Sequence, residues 1–106
     1  MKVIGLNTET CDIENHFAYG QLSDPLGQFD FLLRELDSLE KQKGLAIMMY
    51  HITPDDGCNH EFAVRMRAVL ERYQHIIRLN LLGHTHLDYF KVAMSYIRPF
   101  APVGVL

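Results

Sequence analysis

The sequence lacks several features that would define its class at once. Lys and Arg total 10 and form no cluster, so a formal net charge of −3 gives no electrostatic footprint for nucleic acid. No apolar run approaches the roughly 20 residues that span a bilayer, and the first residues hold no apolar core long enough for a secretory signal. There are only two cysteines and no short Cys-x-x-Cys pair, so the sequence gives little support for zinc ligation by cysteine. A small globular chain with no nucleic-acid surface and no transmembrane segment is therefore expected.

The composition is that of one compact domain or part of one. The 106 residues are 48% hydrophobic and 22% charged, which is typical of a globular chain at the small end of the domain range. The sequence enters an apolar run within its first residues and ends on apolar residues, whereas an intact domain usually closes its sheet first. We therefore expect residues 1–106 to be part of a larger domain.

The hydrophobic pattern predicts alternating strands and helices. Short apolar runs at residues 2–7, 45–50 and 76–82 have the length of buried strands, and the second is continuous enough to be covered on both faces. Amphipathic periodicity predicts helices over residues 25–42 and 60–75. Asp24 is expected as N-cap of the first helix, Pro25 as its first residue and Gly44 as its C-cap. The predicted buried stripes are Phe29, Leu32, Leu33, Leu36 and Leu39 in one helix, and Phe62, Met66, Val69, Leu70 and Tyr73 in the other. A last strand is expected over residues 87–94, with Phe90 in the core.

Three histidines follow predicted strands. The order strand, helix, strand, helix, strand favours an α/β fold with a mainly parallel sheet and flanking helices. Ligands of such sheets lie outside the carboxyl ends of the strands. His51 follows the second strand, and the turn GHTH after the third strand presents His84 and His86. Because histidine is a common zinc ligand, the sequence predicts a metal site here, with Asp88 or a backbone carbonyl fixing a ring tautomer. Solvated histidines at strand ends are the other interpretation.

A longer set of residues resembles a known family. The set comprises His51, Pro54, Gly57, Cys58, Glu71, Arg72, Tyr73 and residues 83–90, preceded by Leu6, Asn7, Cys11, Glu14, Asn15, Asp24, Pro25, Gly27 and Gln28. In this order they resemble the C-terminal half of the acid sphingomyelinase-like phosphodiesterases, of the calcineurin-like metallophosphoesterase superfamily. The resemblance covers nearly the whole chain.

The resemblance implies a zinc-dependent phosphodiesterase. It implies part of an α/β/β/α sandwich that binds two zinc ions, and hydrolysis of a phosphodiester, from sphingomyelin to nucleotides, by a metal-activated water. By motif match His51 and His84 bind one zinc and His86 binds the other. The remaining ligands, in Asp-x-His, Gly-Asp and Gly-Asn-His motifs, belong to a missing N-terminal half. No catalytic residue is therefore assigned within this chain, and we expect the isolated chain to be inactive.

The resemblance also concerns the cysteines and the cell compartment. It implies a disulfide between Cys11 and Cys58 and a secreted or lysosomal protein, whereas a cytosolic protein would keep two reduced thiols. Asp55 and Asp56 make the loop after His51 more acidic than in the family. We interpret them as a solvated loop tip, with an effect on substrate access as the alternative.

The second hypothesis for the whole chain is a non-catalytic remnant module that retains a partial metal site.

Overall fold

A computed structural model describes residues 1–16, 24–55, 57–94 and 102–105 as a mixed α/β fold. Its strands are β1 (Lys2–Gly5), β2 (Ala46–Met49), β3 (Ile77–Leu81), β4 (Val92–Met94) and β5 (Pro102–Val105), and its helices are α1 (Gln28–Lys41) and α2 (His60–Arg72). Short 3₁₀ helices span Thr8–Cys11 and Pro25–Gly27. Within the described ranges no helix is long and apolar enough to cross a membrane.

The first three strands form a parallel sheet in the order β1-β2-β3, and β4 and β5 form a separate antiparallel pair. In the parallel sheet Ile4 lies opposite Met48, and Met48 lies opposite Asn80. The predicted parallel sheet with flanking helices is therefore confirmed. Its strands are parallel because α1 and α2 each return the chain to the same end of the sheet before the next strand begins.

One face of the sheet carries the core. Ile4 and Met48 are buried there together with Leu36 of α1 and with Met66 and Leu70 of α2. Both helices cover this same face, because neighbouring strands in the sheet are also consecutive in sequence and both crossovers run over one side. Burial of this face supplies the main apolar stabilisation of the fold.

The opposite face of the sheet is open in the described structure. Val3 is 60% exposed, Met49 51% and Leu81 47%, although all three lie in strands. Among the described residues β2 is therefore covered on one face only, whereas the sequence pattern favours cover on both. A continuous apolar run indicates that both sides of a strand can be buried, but the single-sided placement of α1 and α2 decides which side they cover.

The start of α1 differs from the prediction by three residues. Pro25 begins a 3₁₀ turn, and Leu26 (φ 61°) and Gly27 (φ 62°) then adopt left-handed backbone conformations that an α-helix cannot contain. The α-helix begins only at Gln28. Gly27, rather than the predicted Asp24, occupies the N-cap position of α1. The Asp24 carboxylate still accepts hydrogen bonds from two N–H groups of the first turn, at 3.0 and 3.1 Å.

The end of α1 corrects the predicted C-cap. Lys43, rather than Gly44, is left-handed at φ 53°, and the Gly44 N–H donates to the Leu39 carbonyl at 2.8 Å. This is the pattern of a Schellman-type helix end with a lysine in the position that usually holds glycine. Leu33 was predicted to be buried but is 41% exposed, because it lies at the edge of the helix face that contacts the sheet.

Helix α2 and the last strands complete the described fold. Asn59 caps α2 by accepting from the Phe62 N–H at 2.9 Å, and the predicted stripe of α2 is confirmed as buried or partly buried. The helix ends at Arg72, three residues earlier than predicted. The strand predicted over residues 87–94 is only Val92–Met94, because its partner β5 reaches only these residues. Phe90 precedes it and is 73% exposed, so its assignment to the core is wrong.

Candidate metal centre

The carboxyl ends of the three parallel strands bring three polar segments to one edge of the sheet. Strands β1, β2 and β3 end at Gly5, Met49 and Leu81. The segments that follow them carry Thr8, His51 and the GHTH turn. Because the strands are parallel, these segments leave the sheet on the same side.

His51 and His84 face each other at this edge. The Nε2 atom of His51 lies 3.4 Å from the Nδ1 atom of His84, and the ring centroids are 5.1 Å apart at an angle of 88°. Two imidazole nitrogens bound to one tetrahedral zinc at about 2.05 Å would be about 3.3 Å apart. The observed spacing therefore fits two ligands of a single zinc ion. Both histidines are exposed, so an ion can reach the pair from solvent.

The backbone at His84 adopts a strained turn, and the ring of His84 lies next to that of His51. The Thr85 N–H donates to the Gly83 carbonyl at 3.0 Å, which closes a three-residue γ-turn centred on His84 with φ 76°. The form with positive φ is the rarer γ-turn, and strained backbone of this kind concentrates at functional sites. His86 is also left-handed, at φ 58°. The sharp turn expected from the sequence is therefore present.

Gly83 allows the two turns to approach closely. Its N–H donates to the His51 carbonyl at 3.1 Å. A Cβ atom added at Gly83 would lie 3.0 Å from Nδ1 and 3.4 Å from Cε1 of His51. Any larger residue would therefore press on the imidazole. Gly83 therefore allows the GHTH turn to lie close to His51. The sequence pattern, a glycine after an apolar run, did not reveal this role.

His86 and Asp88 complete the predicted site residues. Both are exposed, and Thr85 separates His86 from the paired ring of His84. No cluster of three or more His, Cys, Asp or Glu side chains able to hold a metal ion occurs in residues 1–16, 24–55, 57–94 and 102–105. The described chain thus brings together two imidazole side chains, His51 and His84. A role for His86 at a second ion, and for Asp88 behind a ligand, stays a prediction.

The loop after β2 is fixed from β1 by a residue that sequence reasoning missed. The Thr8 hydroxyl accepts hydrogen bonds from the backbone N–H groups of His51, at 3.1 Å, and Ile52, at 2.8 Å. Thr8 is only 1% exposed. Only the position of Thr8 in the sequence could have indicated this role. A residue that follows a strand of a parallel sheet lies at the edge where such sheets bind ligands.

Asp55 also holds this loop in place and is not a solvated loop tip. Its carboxylate accepts from the Thr53 hydroxyl and pairs with the Lys91 ammonium, and its side chain is only 13% exposed. The predicted solvated tip is therefore wrong for Asp55, because a cation from the segment after the GHTH turn folds back onto it. The neighbouring Asp56 lies outside the described residues.

The predicted disulfide is confirmed. Cys11 and Cys58 are bonded, with Cα atoms 4.9 Å apart, and both are buried. The Asn59 N–H also donates to the Cys11 carbonyl at 2.7 Å. The bridge therefore joins the 3₁₀ helix after β1 to the far end of the His51 loop.

A cleft is lined by Gly83 and Thr85, the two neighbours of His84 in sequence. It has a volume of about 250 Å³ and runs along β3 and the segment that follows the GHTH turn. Its walls are mostly apolar, and the side chains with polar groups are those of Thr53, Asn80, Thr85, Tyr89 and Lys91. Next to it, Tyr50 is buried, and this burial followed by the Asp55 charge raises the pKa of its phenol. Tyr50 therefore stays protonated and is no candidate base at neutral pH.

Comparisons with known proteins identify relatives of one kind. Sphingomyelin phosphodiesterase 1 of Caenorhabditis elegans is 36% identical over 93 residues, which are 87% of this chain and 16% of the relative. Sphingomyelin phosphodiesterase of Bos taurus is 30% identical over 92 residues, which are 87% of this chain and 15% of the relative. The human enzyme of that name is 29% identical over 92 residues, which are 87% of this chain and 14% of the relative. No protein-family model matches the chain. The chain is thus related to sphingomyelin phosphodiesterases and spans about one sixth of the length of the relatives that it matches.

Proposed function

We propose that this chain forms the histidine-bearing part of a zinc-dependent phosphodiesterase. The observation that carries the proposal is the 3.4 Å separation of the His51 and His84 ring nitrogens at the edge where a parallel sheet binds ligands. The relatives, which are named as sphingomyelin phosphodiesterases, support a phosphodiester lipid as substrate and a hydrolase instead of a non-catalytic remnant.

The residues of this chain would act by binding and orienting. His51 and His84 would hold one zinc as neutral imidazoles, and His86 would hold a second ion beside it. Asp88 would orient one of these rings. Bound zinc supplies a Lewis acid for a phosphoryl oxygen and lowers the pKa of a bound water. Tetrahedral zinc needs further donors, which other parts of a complete domain would provide, so we expect the isolated chain to bind metal weakly and to lack activity.

Two further features support the wider family interpretation. The open apolar face of the sheet, with Val3, Met49 and Leu81 exposed, suits a domain in which another layer covers it, as in an α/β/β/α metallophosphoesterase sandwich. The bond between Cys11 and Cys58 suits an oxidising compartment, which supports a secreted or lysosomal location.

Metal binding by the chain tests the proposal most directly. Co²⁺ is added to the protein while visible absorption is recorded, because the visible bands of Co²⁺ change when imidazole nitrogens replace bound water, whereas Zn²⁺ has no such bands. Zn²⁺ is then added to compete for the site. We expect binding in the wild type and its loss in His84→Ala. His75→Ala is the matched control, since His75 precedes β3 at the opposite edge of the sheet and contacts Glu40. Equal binding by wild type and His84→Ala would contradict the proposal.

Catalysis is tested in a complete domain that contains this chain together with the further metal donors. The release of phosphocholine from sphingomyelin should fall sharply in His84→Ala and His51→Ala but remain in His75→Ala. Activity that survives both site substitutions would refute the assignment of these histidines to the reaction.

A further inference from the structure

We infer that Thr8 is a positioning residue for the metal pair, and that its hydroxyl fixes His51 at the distance from His84 that one ion requires. The inference rests on the proposed function, because it concerns the same pair of histidines. Thr8 lies in the segment after β1 and is not itself a metal ligand.

The first step of the argument concerns the hydroxyl itself. A threonine oxygen has two lone pairs, and Thr8 uses both for the consecutive N–H groups of His51 and Ile52. With 1% exposure, Thr8 leaves no room for water to take over these bonds. Removing the oxygen would leave two donors without partners in the region where β2 turns into the ligand loop.

The second step concerns how firmly Thr8 is held. Gln28 of α1 forms two hydrogen bonds with Asn7, the residue before Thr8. The Gln28 side-chain carbonyl accepts from the Asn7 N–H at 2.7 Å, and the Gln28 side-chain amide donates to the Asn7 carbonyl at 2.8 Å. The Asn7 side chain in turn accepts from the Glu9 N–H at 3.1 Å and caps the 3₁₀ helix that begins at Thr8. On the other side, the disulfide fixes Cys11. The hydroxyl therefore has a fixed place.

The third step connects this fixed point to the ring. The His51 N–H is held by Thr8, and its carbonyl is held by the Gly83 N–H at 3.1 Å. His51 is thus fixed between the segment after β1 and the turn that carries His84. Since a shift of a few tenths of an ångström changes how two ligands share one ion, removing one of the two anchors should weaken metal binding.

The experiment measures Co²⁺ affinity by visible absorption in Thr8→Val, which keeps the shape and removes the oxygen, and in Thr8→Ser, which keeps the oxygen. Supporting groups around metal ligands typically contribute about 10- to 100-fold in metal affinity, so we expect a loss of about 10-fold or more in Thr8→Val and near-wild-type affinity in Thr8→Ser. Thr10→Val is the matched control, because the Thr10 hydroxyl bonds to Asn7 and Gln28 but not to the His51 loop.

The outcomes separate this inference from the proposed function. If the wild type binds no cobalt, the proposed function fails. If the wild type binds cobalt and Thr8→Val binds equally well, the proposed function stands and the inference is overturned, even if Thr8→Val melts at a lower temperature. Should Thr8→Val fail to fold, amide hydrogen exchange of the wild type decides: slow exchange of the Ile52 N–H supports the anchor, and exchange as fast as that of a free loop amide overturns it.

Discussion

Reducing the disulfide should lower the free energy of unfolding of the chain by about 4 kcal/mol. The bond joins Cys11 and Cys58 across a sequence separation of 47 residues. In the chain-entropy model, opening a loop of this length restores about 14 cal/mol/K to the unfolded state, which corresponds to about 4 kcal/mol at 25 °C. Domains of this size are stable by about 5–15 kcal/mol in total, so the loss amounts to between about a quarter and four fifths of the free energy of unfolding.

Urea unfolding of the oxidised and reduced protein measures this loss. The reduced sample keeps every atom of the core, so the comparison adds no cavity, and mass spectrometry verifies two free thiols. For a slope of about 1–3 kcal/mol per molar urea, the midpoint should fall by about 1.3–4 M. Equal midpoints in the two samples would refute the reasoning, because they would mean that the bridged loop is equally restricted without the bond.

Three further predictions concern single residues. Because His84 sits at φ 76°, His84→Gly should be more stable than His84→Ala by about 1 kcal/mol in thermal unfolding, although both should lose cobalt binding; a less stable glycine variant would contradict the strained turn. Lys43→Gly should stabilise the protein by roughly 0.5–1 kcal/mol in urea, since Lys43 at φ 53° ends α1 in a conformation suited to glycine, and no gain would disprove this. Arg72 forms two hydrogen bonds of 2.9 Å with Glu40 and lowers the pKa of that carboxyl. The wild type should therefore be more stable than Glu40→Gln, fully so above the ordinary carboxyl pKa of 4.5, and this advantage should disappear as the pH falls through the lowered pKa of Glu40. A difference in melting temperature that does not change with pH would argue against this ion pair.

The sequence by itself determined the first three strands, the two helices and the edge on which the site lies. Amphipathic spacing is a local property, so α1 and α2 were located to within three residues, and the βαβ order required a parallel sheet whose carboxyl ends carry His51 and His84. The family resemblance supplied the pairing of Cys11 with Cys58, which no local pattern encodes.

Only the tertiary structure decided how the segments meet. The fixing of His51 by Thr8 and the pairing of Asp55 with Lys91 join residues that are 43 and 36 positions apart in sequence. The burial of one sheet face likewise depends on strands that are distant in sequence. Contacts over such separations depend on packing and on the exact turn geometry after each strand, and neither has a periodic signature along the chain. The strained turn at His84 likewise follows from the hydrogen bonds that the folded edge makes around it.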